Sequence, residues 1–281
     1  MRVKQNCKIN IGLQVLNKRT DGYHDLVSIF APISLYDILC FRVIPKGIKV
    51  KMRDIPQEQN IVYQTAKLIQ QEYGVEKGIY VRINKKIPIA AGLGGGSADA
   101  AMTIKMCSKL WKLNLSREEM ISIAEKIGSD VPFFVHNKLA IVRGRGERIE
   151  ELNSAIKLFI LLVKPDFGFQ TKEVFTHLIQ EKEKNKMETV IIGFKENELK
   201  KITQSIQNDL EKGILYDTEK AQEILKIKKE LLEVGALSSS MSGSGSCVYG
   251  IFKNQEELKK AQKKLNKKGC QKRRIFIANS I

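Results

Sequence analysis

Pro88-Ile89-Ala90-Ala91-Gly92-Leu93-Gly94-Gly95-Gly96-Ser97-Ala98-Asp99-Ala100-Ala101 is the stretch on which the reading of this 281-residue chain turns. Four of the five positions 92–96 are glycine. Without Cβ atoms, their backbone N–H groups can turn inward on one anion. Ser97 is a good N-cap and the alanine-rich run behind it is a strong helix former, so a helix is predicted over 97–110. A glycine loop opening a helix suits phosphate, because free N–H donors and the positive end of the helix dipole converge there. Tight helix packing or a plain flexible loop would also use glycine; the coupling to a capped helix start favours the phosphate reading. No Lys-Ser/Thr follows the glycines, so this is not a Walker A loop, and the G-x-G-x-x-G spacing of a dinucleotide-binding turn fails as well.

Working outward, residues 8–16 alternate as a strand does, and Asp21-Gly22 signals a hairpin turn. Residues 26–44 are rich in Ile, Val, Phe and Leu and predict two strands. Asn60 caps an amphipathic helix over 61–73, stopped by Gly74, and 79–83 is again a strand. Ser116-Arg117-Glu118-Glu119 is a capping box opening a helix to 127. Strands at 139–142 and 148–152 flank Gly144-Arg145-Gly146, and the apolar run 158–163 begins a second domain. Helices are predicted over 171–184, 218–234 and 255–268, and strands over 247–252 and 274–278, with a serine/glycine loop before Cys247. The charged run 181–186 reads as a solvated helix end. Strands and helices mix without regular βαβ alternation, which predicts an α+β chain of two domains, 1–153 carrying the glycine-rich loop and 154–281, with the final strand a candidate to return to the first.

The bulk composition is that of a globular enzyme, with 43% hydrophobic and 28% charged residues. No apolar run approaches the roughly 18 residues of a membrane span, and the start lacks a signal-peptide core, so a cytoplasmic location is expected. Five scattered cysteines, without a CxxC pair or a nearby histidine, predict reduced thiols and no zinc cluster. The net charge of +17 is spread along lysine-rich helix faces. It predicts a solvated surface that speeds encounter with anionic substrates, rather than a nucleic-acid interface.

Three further segments join the glycine loop: Cys7-Lys8-Ile9-Asn10-Ile11-Gly12-Leu13 with Asp21-Gly22-Tyr23-His24-Asp25-Leu26, then Gly128-Ser129-Asp130-Val131-Pro132-Phe133-Phe134, then Met241-Ser242-Gly243-Ser244-Gly245-Ser246-Cys247-Val248. In this order they resemble the motifs of the GHMP small-molecule kinases. The extended Gly-Leu-Gly-Gly-Gly-Ser form is similar to the diphosphocytidyl-methylerythritol kinase branch. The resemblance implies an N-terminal half like the second domain of ribosomal protein S5 and a ferredoxin-like C-terminal half. It implies ATP as phosphoryl donor, bound by Pro88, Ile89, Ala90, Ala91, Gly92, Leu93, Gly94, Gly95, Gly96, Ser97 and Ala98. Mg²⁺ is implied by the ATP chemistry, with no protein-only cage for it.

By the same resemblance Asp130 is the catalytic base and Lys8 its cationic partner. A carboxylate with an ordinary pKa of about 3.9 suffices when a loose transition state releases the proton late. The acceptor, CDP-methylerythritol, would be held by Asn10, Tyr23, His24, Lys85, Thr171 and Phe175, with a cytosine between the faces of Tyr23 and Phe175 and its polar edge on His24. Read as residues alone, Asp130 could equally be a helix cap, Thr171 an N-cap and Phe175 a core residue. Small-molecule partners, no nucleic acid or membrane, and a monomer or weak homodimer are expected. Two alternatives stay open: another GHMP kinase of the homoserine or mevalonate type, and a basic RNA-binding protein on an S5-like fold.

Overall fold

The alternation at the start of the chain runs well beyond its 8–16 core. In the computed structural model, which describes residues 1–53, 55–178, 186–267 and 272–281, strand β1 covers Arg2–Lys18. Where two strands were expected over 26–44 there is one, β2, His24–Ile44. Pro32 does not break it, for a positional reason. Residues 26–30 pair with β5 (Ala140–Gly144) and residues 38–44 with β4 (Gly78–Asn84), so the residue without an N–H falls between the two ladders.

The chain divides into two compact units that interleave in sequence. The first comprises Met1–Cys7, Tyr36–Ile87 and Gly94–Asn137. Here β3 (Ile48–Lys51) runs parallel to β4, and β4 antiparallel to the second half of β2. Helices α1 (Ile61–Glu72), α2 (Gly95–Leu110), α3 (Arg117–Ile127) and α4 (Val131–His136) complete it. Two start signals act as the sequence predicts. Asn60 Oδ1 accepts the Val62 N–H at 2.9 Å, and Ser116 with Glu119 forms a reciprocal capping box. Ser97 does not cap α2: the helix begins two residues earlier behind Gly94, whose φ of +66° supplies the turn without a side-chain cap.

The second unit comprises Lys8–Leu35, Pro88–Leu93 and Lys138–Ile281. One ladder joins the first half of β2 to β5 and β5 to β6 (Arg148–Glu151). A four-stranded antiparallel sheet, in the order β10-β7-β9-β8, is built from β7 (Phe159–Pro165), β8 (Ser238–Met241), β9 (Val248–Phe252) and β10 (Arg273–Asn279). Strand β8 replaces part of the expected serine loop. Its Ser240 can be buried because Glu211 Oε1 accepts from Ser240 Oγ at 2.9 Å and from Met241 N at 2.8 Å, whereas Ser239 Oγ has no hydrogen-bond partner among the described residues. Helices α5 (Thr171–Thr176), α6 (Met187–Lys195), α7 (Leu199–Thr203), α8 (Leu210–Gly213), α9 (Thr218–Glu233) and α10 (Gln255–Lys267) belong to this unit. The apolar faces of α9 (Ile224, Ile227, Leu231) and α10 (Leu258, Ala261, Leu265) share one core with Leu161, Val163, Val248 and Phe252 of the sheet. The end of β10 reaches β2, where Asn279 N donates to Ser34 Oγ at 2.9 Å.

Helix α5 ends at Thr176, short of the expected 184, since His177 and Leu178 are not helical; the rest of that expected helix, most of the charged run 181–186, Lys268 and Cys270 lie outside the described residues. Among the described residues no helix is long and apolar enough to cross a membrane, and Cys7, Cys40, Cys107 and Cys247 are free thiols. The architecture is α+β.

Candidate active site

In the second unit, β1 carries Lys8 and Asn10 two residues apart and therefore on one face of the strand. Both are buried, with Lys8 only 3% exposed. Lys8 Nζ donates to Asn10 Oδ1 at 2.6 Å and lies 4.2 Å from the centroid of the Phe30 ring, so amide oxygen and π-face replace part of its lost hydration. Asn10 Nδ2 donates to Ser28 Oγ at 3.0 Å, and Ser28 Oγ in turn to the Gly12 carbonyl at 2.6 Å, which fixes the amide's orientation.

The first part of the glycine loop and the third motif meet these residues. Ser242 Oγ accepts the Asn10 N–H at 3.2 Å and donates to the Gly92 carbonyl at 2.9 Å. Lys8 N donates to the Leu93 carbonyl at 3.1 Å, and Cys247 N to that of Ala91 at 3.2 Å. Gly92 has φ of +70°, and a Cβ there would fall well inside contact with the Ser242 carbonyl oxygen. Three segments far apart in sequence are thus held together by backbone groups and small side chains.

The acceptor candidates of this unit form a second group. The His24 and Phe175 rings stack on each other, with centroids 5.2 Å apart and 22° between planes. Tyr23 is 54% exposed, and the Arg145 guanidinium lies 4.9 Å from its ring centroid. The flat faces of Tyr23 and Phe175 are therefore turned to Arg145 and His24. Burial, and then the Lys18 charge, lower the His24 pKa, so its imidazole is neutral near neutral pH. Thr171 is not an N-cap: Gln170 holds that position and Thr171 Oγ1 shares a hydrogen bond with Ser244 Oγ at 2.9 Å. Phe175 packs partly against the core of its unit.

In the first unit, α2 opens at Gly95 with the amides of residues 94–97 lacking intrahelical acceptors, as the geometry of any helix start dictates. Lys85 lies beside it, but its ammonium is already engaged. It donates to Asp37 Oδ2 at 2.6 Å and to Asp99 Oδ2 at 2.8 Å, both carboxylates being buried. Asp37 Oδ1 also accepts from the backbone of Lys86 at 2.5 Å and Ile87 at 2.9 Å, tying β2 to the loop that leads to Pro88. Burial and the neighbouring Asp37 push the Asp99 carboxyl up to about 7 against the pull of Lys85, and its Oδ1 has no hydrogen-bond partner among the described residues. Burial opposes the Lys85 charge, yet the two carboxylates outweigh it and its pKa is raised. Asp130 precedes α4 at the N-cap position without capping it by its side chain.

Sequence reasoning missed the partners of Lys85. Asp37 left one signal, being the only acidic residue in the apolar run 26–44; Asp99 left none, as an acidic residue in an otherwise ordinary helix. Among the described residues no group of three or more His, Cys, Asp or Glu side chains is placed to hold a metal ion.

With this geometry in hand, the chain can be set beside known proteins. Residues 60–138 match the GHMP kinases N terminal domain and residues 192–270 the GHMP kinases C terminal domain. The 4-diphosphocytidyl-2-C-methyl-D-erythritol kinase of Thermoanaerobacter pseudethanolicus is 43% identical over 270 residues, which cover 94% of this chain and 92% of that one. The protein of the same name from Clostridium acetobutylicum is 38% identical over 286 residues and the whole of both chains. A crystal structure of 4-(cytidine 5'-diphospho)-2C-methyl-D-erythritol kinase superposes with a TM-score of 0.84 at 26% identity, covering 99% of this chain and 98% of that one. Both halves of the fold and the motifs from Lys8 to Val248 fall within these full-length matches, and the chain belongs to the 4-diphosphocytidyl-2-C-methyl-D-erythritol kinase family of the GHMP kinases.

Proposed function

We propose that the chain transfers the γ-phosphoryl group of ATP to the 2-hydroxyl of 4-diphosphocytidyl-2-C-methyl-D-erythritol, giving ADP and the 2-phosphate in the non-mevalonate route to isoprenoid precursors. The observation that carries the reading is identity of 43% and 38% to two kinases of that name, spanning nearly all of each chain.

Phosphoryl transfer asks the protein for position and charge more than for covalent chemistry. Residues 88–98 cradle the nucleotide phosphates through backbone donors, Mg²⁺ arriving as the nucleotide's own complex. Lys8, stripped of water and steered by Asn10, presents its charge to the phosphoryl group in flight. Asp130 accepts the hydroxyl proton late in the transfer. Tyr23, His24, Asn10, Lys85, Thr171 and Phe175 hold the acceptor. A neutral His24 offers one donor and one acceptor to a cytosine edge. Lys85 acts there while still paired to Asp37 and Asp99. We further propose that the two family domains are bounded near residues 153/154 in sequence, a division distinct from the two interleaved compact units described above. It works in the cytoplasm as a monomer or weak homodimer, with small molecules rather than nucleic acid or membrane as partners.

The test is an ADP-release assay across acceptors. Turnover with the cytidine diphosphate acceptor, and little with homoserine or mevalonate, is the expected result. Preference for either of the latter would reassign the enzyme among the GHMP kinases, and tight salt-sensitive RNA binding without turnover would end the kinase reading.

A further inference from the structure

One buried side chain outside every motif grips the third motif loop from behind. Asn208, on the segment before α8, is 7% exposed. Its Nδ2 donates to the carbonyls of Met241 and Gly243, each at 2.8 Å, and its Oδ1 accepts the Leu210 N–H at 3.0 Å. Both amide hydrogens and the amide oxygen are engaged, so the orientation is set by the network and an aspartate could not replace it. Its backbone is fixed too: Leu13 N donates to the Gln207 carbonyl at 2.8 Å and Asp209 N to that of Leu13 at 2.9 Å, placing residue 208 beside β1.

The two carbonyls it holds bracket Ser242. Ser242 Oγ spans Asn10 N and the Gly92 carbonyl, and a Cβ on Gly243 would stand only 3.1 Å from Asn10 Oδ1, the atom that accepts from Lys8 Nζ. From these contacts we infer that Asn208 is a positioning residue, clamping the Met241–Gly243 turn so that Asn10 holds the Lys8 ammonium in place. Glu211, one turn on, reinforces the clamp through Ser240 Oγ and Met241 N, and is itself paired to Lys228. The inference rests on the proposed role of Lys8, but its central test does not.

That test is competitive labelling of the folded protein with trace acetic anhydride, read by mass spectrometry at each lysine. Lys164 is the internal control. It is equally buried in the same unit and held by the carbonyls of Pro165 (2.7 Å) and Phe167 (2.6 Å); Ser246 Oγ also donates to the Phe167 carbonyl, so this control meets the third motif loop only beyond the clamped Met241–Gly243 turn. In Asn208→Ala, Lys8 labelling should rise by about tenfold, the scale of one lost buried hydrogen bond, with Lys164 unchanged. Asn208→Ser, which keeps one donor, should fall between and serves if the alanine variant does not fold. A parallel rise at both lysines would reduce Asn208 to a general stabiliser, and no rise at Lys8 would remove the clamp. With the proposed acceptor, kcat should fall with KM nearly constant, and the loss should vanish in a Lys8→Ala background. A wild-type protein inactive on that acceptor would overturn the functional reading alone, leaving the labelling result to judge Asn208.

Discussion

Gly92 and Gly96 are four residues apart in the same glycine-rich loop, and the structure gives them opposite responses to a single methyl group. At Gly92 two costs add. Its φ of +70° is a left-handed conformation, which disfavours an L-residue by roughly 1–2 kcal/mol. The added Cβ would also collide with the Ser242 carbonyl oxygen and stand 2.9 Å from the Ser242 carbonyl carbon and 3.1 Å from Gly245 N. These are backbone atoms that cannot rotate away, and overpacking of this kind costs about 1–3 kcal/mol more. The lower entropy of the unfolded alanine chain returns only about 0.5 kcal/mol. Gly92→Ala should therefore destabilise the protein by roughly 2–4 kcal/mol. At Gly96 the backbone is helical, and a Cβ would touch only Ile61 Cγ2, at an ordinary 3.8 Å. Gly96→Ala should stabilise by about 0.4–1 kcal/mol.

Urea denaturation of the two variants and the wild type measures the contrast, as midpoints at unchanged m-value. Because Ser242 Oγ donates to the Gly92 carbonyl, Gly92→Ala should also lower turnover in whatever fraction folds. Equal destabilisation at the two positions would show that the loop tolerates no side chain anywhere, and the close approach of Ser242 would explain nothing. A Gly92→Ala protein as stable as wild type would refute the reasoning outright.

Asp130→Asn keeps the shape of the proposed base and should lower kcat by about two orders of magnitude or more, read by ADP release; near-normal turnover would take Asp130 out of the chemistry. Tyr23→Ala and His24→Ala should each weaken the acceptor by roughly 1–3 kcal/mol in calorimetry, with ATP affinity little changed. Equally tight binding of the free polyol phosphate and its cytidine diphosphate form by wild type would end that idea. Asp99 makes a pH prediction. Its folded pKa of about 7 lies above the unfolded carboxylate value, so the native state binds the proton more tightly. The stability this contributes is complete at low pH and lost as pH rises through about 7. Asp99→Asn should gain on wild type by roughly 1–4 kcal/mol between pH 5 and pH 8 in paired urea titrations, and parallel curves would contradict the assignment.

Much of the fold was legible because it is written locally. Alternation marks β1, the Asn60 and Ser116 caps mark two helix starts, and 3.6-residue periodicity marks α9 and α10. The errors share a cause: a local signal was overruled by a partner elsewhere. Two strands were expected over 26–44, but one continuous strand serves both ladders, with its proline where neither needs an N–H. Ser238 to Ser240 suggested a loop, but Glu211 accepts from Ser240 Oγ and Met241 N and so anchors the end of a strand there. Ser97 suggested a cap, but a left-handed Gly94 starts the helix first.

The same distinction separates what was readable in the candidate site from what was not. Glycines and motif serines advertise themselves, because their chemistry is a property of the residue and its immediate neighbours. An ion-paired lysine does not. The family resemblance makes Lys85 an expected acceptor-binding cation, and only the meeting of β2, β4 and α2 reveals Asp37 and Asp99 on either side of it. That meeting alters the chemistry expected of Lys85. A cation whose donors face two buried carboxylates cannot leave them without exposing uncompensated buried charge, so its primary effect is to tie the loop backbone at Lys86 and Ile87 to the start of α2. Asn208 repeats the pattern in the other unit, an unremarkable residue made consequential by two carbonyls more than thirty positions away. Motifs thus name the groups proposed to meet the substrate, while the residues that hold those groups still are fixed by topology and are found only once the strands are paired.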